Sequence, residues 1–187
     1  GVDWDGIQFL DTSPEPIFDT NGNYLSGNIF KYCKIENIKN YTSSTNYSAI
    51  YFDGSSAFFS NCHFNNINHT GNQVLKAELD EGDTLRIIDS KFTNSNVNQY
   101  LSATRLIIKN CDFINNSMSN IFSQSILEIE NILVLDNSFN QGFSSFLMSN
   151  SSGIVKNSKF VNNTWNYYGF LFKYSSVTLD NCMFIGN

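Results

Sequence analysis

Seven times along this chain a short apolar strand runs into a variant of Asn-Cys-x-Phe-x-Asn-Asn. N-C-D-F-I-N-N at 110–116, N-S-K-F-V-N-N at 157–163 and N-C-M-F-I-G-N at 181–187 are the cleanest copies. N-C-H-F-N-N-I at 61–67 and D-S-K-F-T-N-S at 89–95 follow, and Y-C-K-I-E-N-I at 32–38 and N-I-L-V-L-D-N at 131–137 are degenerate. Aligned on the Phe position, the series is Ile35, Phe64, Phe92, Phe113, Val134, Phe160, Phe184, with steps of 21 to 29 residues. A period of that length marks architectures of stacked coils.

Within each copy the apolar positions predict strands. Five residues before the Phe position stand Phe30, Phe59, Ile87, Ile108, Ile129, Val155 and Leu179, and seven before it a second, mostly apolar column. Alternation with period two places one face of a strand in a core, and the intervening Lys31, Lys109, Glu130, Lys156 and Asp180 face solvent. A second strand precedes it, at Ala49, Gln99, Asn120, Phe146 and Phe170. Turn formers such as Asp53-Gly54-Ser55 separate the two. Two residues after the Phe come Asn37, Asn66, Asn94, Asn115, Asp136 and Asn162. Asn tolerates left-handed backbone and its amide bonds a like amide one coil above, so these residues predict an inward stack at one corner.

Two or more strands per coil, short polar turns and no helical period predict an all-β fold, a right-handed parallel β-helix of about seven to eight coils. Residues 1–187 form one domain, expected to be a segment of a longer protein or a stacking subunit. F-x-x-N recurs as Phe113…Asn116, Phe160…Asn163 and Phe184…Asn187, with looser matches to a G-G-A-I motif at Ser48-Ala49-Ile50 and Tyr168-Gly169-Phe170. In these motifs the chain resembles the adhesin-like branch of the right-handed parallel β-helix repeat proteins. That branch includes the polymorphic outer-membrane proteins of chlamydiae and adhesin-like proteins of methanogenic archaea. The resemblance implies an extracellular or cell-surface structural or adhesive role. Its partners would be the protein itself, end to end or side by side, or a protein or glycan of a cell surface.

Composition narrows this. Aromatic residues at 15% and a net charge of only −6 exclude a disordered polar tract. The 11 basic residues are scattered, which argues against a nucleic-acid partner. No apolar run approaches the roughly 20 residues of a membrane-spanning helix. Cys33, Cys62, Cys111 and Cys182 share one repeat position with Ser90, Ile132 and Ser158, which predicts small inward-facing free thiols rather than disulfides.

Candidate chemistry is sparse, and no cofactor is expected. The motifs of β-helix polysaccharide lyases and hydrolases are missing, Arg86 and Arg105 are the only arginines, and Glu128 and Glu130 read as solvated surface. An enzyme of that class is the alternative to adhesion, and a viral or phage fibre a second alternative. Asp80, Glu81 and Asp83, with Gly82 at the bend, are weak candidates for a Ca²⁺ site. His63 and His69 read as surface turn residues. Sequons at Asn40, Asn46, Asn68 and Asn150 fall in turns suited to glycosylation, while those at Asn115 and Asn162 fall in the inward stack. Tyr51, Tyr100, Ile121, Leu147 and Leu171 are each followed by Phe52, Leu101, Phe122, Met148 or Phe172. Adjacent strand residues point to opposite faces, so one of the two columns predicts an apolar interface stripe along the solenoid. Trp165, Tyr167 and Tyr168 are suited to stacking on sugar rings.

Overall fold

The computed structural model of the chain describes residues 6–38, 48–67, 73–80, 82–102, 105–139, 144–165 and 168–187, except the side chains of 73, 97–100, 118–122, 144–147 and 168. Among these residues every element is a strand, and all pairings but one are parallel. The strands fall into three long sheets of nine, seven and seven strands. One coil illustrates the rule: Asn96–Ser102 lies in the first sheet, Arg105–Lys109 in the second and Asp112–Ile114 in the third. Each strand then pairs with its counterpart one coil on, as Leu106 with Leu127 and Phe113 with Val134. This is a parallel β-solenoid. Among the described residues the strands make six three-sheet coils, from Ile50–Asp53 to Met183–Ile185, and a seventh, begun by Ile7–Phe9, is opened by an insertion, against the seven to eight predicted.

Each coil has three strands because the strand read from the apolar columns bends in the middle. Asn61, Asp89, Asn110, Asn131, Asn157 and Asn181 sit between the second and third sheets with φ between 49° and 55°. A single left-handed residue turns the chain and consumes one position without assigning it to either face. Ile108 and Cys111 therefore both point inward although they are three positions apart. Asn and Asp tolerate this conformation better than other residues with a Cβ. Asn37, Asn66, Asn94, Asn115, Asp136 and Asn162 do the same at the next corner, and Gln124, Asn150 and Tyr174 at the third.

The core is a pile of like residues. Phe64, Phe92 and Phe113 stack with ring centroids 4.5 and 4.9 Å apart and nearly parallel planes, and Phe160 stacks on Phe184 at 4.9 Å. Offset-stacked rings at this spacing add about 0.5–1.5 kcal/mol per pair beyond their burial. The four cysteines are free thiols in the slot before the Phe; Cys62 and Cys111 are buried, Cys33 and Cys182 half-buried. Burial pushes the Cys111 thiol up to about 12.

A buried polar column completes the interior. Asn116, Asn137 and Asn163 each donate to the next amide oxygen, ending on Asn187, at 2.8–3.1 Å. The same nitrogens donate to the carbonyls of Phe92, Phe113 and Val134. This column, one residue beyond the predicted one, is the inward Asn stack. Asn37, Asn94, Asn115 and Asn162 are exposed and Asn66 half-exposed, which corrects the expectation of an inward corner and leaves Asn115 and Asn162 unshielded as sequons. The outer corner also forms amide pairs: Asn66 Nδ2 donates to Asn37 Oδ1 at 2.6 Å and Asn115 Nδ2 to Asn94 Oδ1 at 2.7 Å.

The insertion is an antiparallel hairpin, Ile17–Phe18 with Tyr24–Ser26, laid against the second sheet. Phe18 and Tyr24 pack on Phe58, and the Arg86 guanidinium lies 3.9 Å from the Phe18 ring centroid. Glu15 anchors the approach, accepting from the backbone N–H of Ser56 at 2.6 Å and from its hydroxyl at 2.5 Å.

Candidate functional site

With the interior filled by side chains, chemistry is confined to the outer faces. On the second sheet the outward residues of adjacent strands carry alternating charge. Lys109 pairs with Glu128 and lies 3.8 Å from Glu130; Lys156 reaches Glu130 at 3.3 Å and Arg105 reaches Glu128 at 3.6 Å. Lys109 holds the Glu128 carboxyl below the ordinary glutamate range. Glu128 and Glu130 are thus members of an ion-pair ladder between coils.

The expected apolar stripe is interrupted. In the first sheet the backbone aligns Gln8, Tyr51, Lys76, Tyr100, Ile121, Leu147 and Leu171. Phe52, Leu101 and Met148 are fully buried, so the inward column is the one that contains them. Tyr51 belongs to the outward column yet is only 8% exposed. The Lys76 ammonium lies 4.7 Å from its ring centroid, and its hydroxyl donates to Glu78 at 2.8 Å. Burial and Glu78 together push its phenol up. Tyr51 is therefore covered by a charged pair and not an exposed apolar contact. Leu171 is half-buried, and the side chains of Tyr100, Ile121 and Leu147 lie outside the described residues.

Other predicted sites resolve individually. The Asp83 N–H donates to the Asp80 carbonyl at 3.2 Å, and Glu81 lies outside the described residues. Partial burial, then Glu15, Asp80 and Asp11, push the Asp83 carboxyl up. Among the described residues no three His, Cys, Asp or Glu side chains are grouped to hold a metal ion. His63 lies on a strand, not a turn, with Nε2 2.9 Å from the Thr93 hydroxyl, and His69 lies outside the described residues. Trp165 stacks on Phe139 at 4.3 Å against the core, which removes it from the sugar-stacking group; Tyr167 and the Tyr168 side chain lie outside the described residues. Asn150 is exposed at a left-handed corner, and Asn40, Asn46 and Asn68 lie outside the described residues.

One surface went unnoticed in the sequence. Along the corner between the second and third sheets runs a groove of about 290 Å³ lined by Asn110, Asp112, Asn131, Leu133, Asn157 and Lys159. A second groove of about 210 Å³, lined by Asn157, Lys159, Asn181 and Met183, adjoins it through Asn157 and Lys159. One wall is the left-handed Asn column, the other the outward column of the third sheet, Asp112, Leu133, Lys159 and Met183. The signal was the Asn that opens each N-C-x-F copy, read only as part of the repeat.

Residues 17–187 match the family described as the right handed beta helix region. The chain belongs to the right-handed β-helix family. That match sets the hand of the coil. Right-handed β-helices are found in carbohydrate-active enzymes and in proteins without enzymatic activity. No curated protein and no solved structure matches the chain. As for membranes, no described helix is long and apolar enough to cross one.

Proposed function

We propose that this β-helix is a non-enzymatic structural and adhesive rod of the cell exterior, of the adhesin-like kind. The observation that supports this is the stacking of like residues in register along one axis: Phe64, Phe92 and Phe113 stack ring on ring, and Asn116, Asn137 and Asn163 bond amide to amide, which makes the solenoid a stiff support. The adhesive part rests on the outer faces, which are available to a protein or glycan of a neighbouring surface.

The test is adhesion of beads coated with the native protein to cell surfaces and to immobilised glycans, with release of reducing sugar followed in parallel. Adhesion without release of sugar is the expected result. No adhesion above bare beads removes the adhesive reading, and release of sugar replaces it with the enzymatic one.

A further inference from the structure

Two of the four thiols stand on adjacent rungs. Cys33 and Cys62 occupy the same slot in successive coils, aligned by the pairs Lys31 with Ser60 and Lys34 with His63 on either side. The His63 N–H donates to the Cys33 carbonyl at 2.9 Å, so the register holds through the corner itself. The Cys62 thiol donates to the Phe30 carbonyl of the preceding coil at 3.4 Å, which draws it toward Cys33. The Cys33 thiol donates to the Lys31 carbonyl at 3.5 Å. Cys62 is buried and Cys33 half-buried, so the pair is reached from the Cys33 side. On the next rung stands Ser90, whose hydroxyl accepts from the Cys62 N–H at 3.1 Å. Cys111 lies between Ser90 and Ile132 in this column, and Cys182 follows Ser158, so each of them is a single thiol.

Spacing decides what the pair can hold. Stacked rungs sit about 4.8 Å apart, longer than the ~3.8 Å between Cβ atoms that a disulfide prefers. A metal ion between two thiolates, with each metal–sulfur bond about 2.3 Å, spans about 4.6 Å in a straight line. Zn²⁺ takes four ligands, and among the described residues no third His, Cys, Asp or Glu is grouped with the pair. His63 is turned to the outer face, with Nε2 2.9 Å from the Thr93 hydroxyl.

We propose that Cys33 and Cys62 form a two-coordinate site for a soft monovalent cation of the Cu(I) and Ag(I) class, the ions that thiolate ligands select. One ion and two thiols give one sulfur–metal–sulfur bridge and two released protons, with no change of oxidation state. The bridge carries a single negative charge. Burial pushes the Cys62 thiol up, and the backbone N–H of Cys33 offsets part of this by favouring the charged sulfur. Ion and proton therefore compete for the site. The bridge ties the coil opened by the insertion to the first complete one, so a loaded chain is more stable than an empty one.

The experiment is titration of the native chain with Cu(I), supplied without oxygen as its acetonitrile complex, against the chromophoric chelator bicinchoninate at several pH values. It is repeated on Cys33→Ser, Cys62→Ser, Cys111→Ser and Cys182→Ser; Ser already fills this slot at Ser90 and Ser158, which favours folding of all four. Native protein, Cys111→Ser and Cys182→Ser are expected to take one equivalent and to melt higher when loaded, and Cys33→Ser and Cys62→Ser to lose both effects. Affinity should fall about hundredfold for each unit of pH below neutral, about tenfold for each proton displaced. A tenfold fall means a single thiolate and contradicts the bridge. X-ray absorption of the loaded native chain, which needs no variant, should show two sulfur neighbours; any other number overturns the proposal. No binding by the native chain, equal binding by Cys33→Ser, or Zn²⁺ held as tightly as Cu(I) also overturns it.

Discussion

At the scale of single residues this molecule is governed by where an Asn stands relative to a corner. Asn115 and Asn116 are adjacent, yet one is exposed in a left-handed turn and the other is buried at 2% exposure. The sequence shows both as members of Asn columns. It does not show which turns inward, because period-two counting from Phe113 fails once a left-handed residue intervenes. F-x-x-N held the answer, since its Asn is the buried one. Asn137 illustrates the cost of that burial. Its amide donates to the Phe113 carbonyl and accepts from the Asn116 backbone N–H, each at 2.8 Å. Asn137→Ala leaves buried donors and acceptors without partners, at about 1–3 kcal/mol for each group orphaned. Thermal or urea denaturation should therefore show a loss of about 2–4 kcal/mol for Asn137→Ala. A loss below that of Asn115→Gly would contradict the inner ladder.

At the scale of elements, strands and their columns were legible because β-branched and aromatic residues repeat at fixed offsets. The hairpin was not. Ile17, Phe18, Tyr24 and Leu25 belong to no repeat, and the hairpin folds because Phe18 and Tyr24 find Phe58 and Arg86, more than thirty positions away. Cation–π contacts of this kind contribute about 0.5–2 kcal/mol. Phe18→Ala should raise amide exchange across 17–26 while exchange in the unbroken coils is unchanged; equal exchange everywhere would show that the hairpin is held by something else.

The ion-pair ladder of the second sheet also acts at this scale. With its folded value held below the ordinary range by Lys109 first, Glu128 favours the folded state when ionised. That contribution is present above the ordinary glutamate range and is lost as pH falls through the lower folded value. Glu128 and Lys109 are about a third exposed, so screening limits the effect to about 0.5 kcal/mol. Melting temperature against pH should thus fall less steeply on the acid side for Glu128→Gln than for the native chain. Parallel curves would show that the pair adds nothing.

Considered whole, the chain is a rod whose stability is close to a sum of coil and nearest-neighbour terms. The repeat made the solenoid readable before any coordinates, because a coil with one apolar face has nowhere to bury it except against the next coil. What the molecule binds was not readable, since the columns that define the coil face inward and any outside contact is made by the residues between them. At Tyr51 the expected interface stripe is interrupted for that reason: Lys76 stands in the same column and covers the ring.

The most direct measurement of the structural and adhesive reading is adhesion of beads coated with the native protein to cell surfaces, with release of reducing sugar followed in the same wells. Adhesion without release of sugar is the predicted result. Release of sugar, or no adhesion above bare beads, would contradict it.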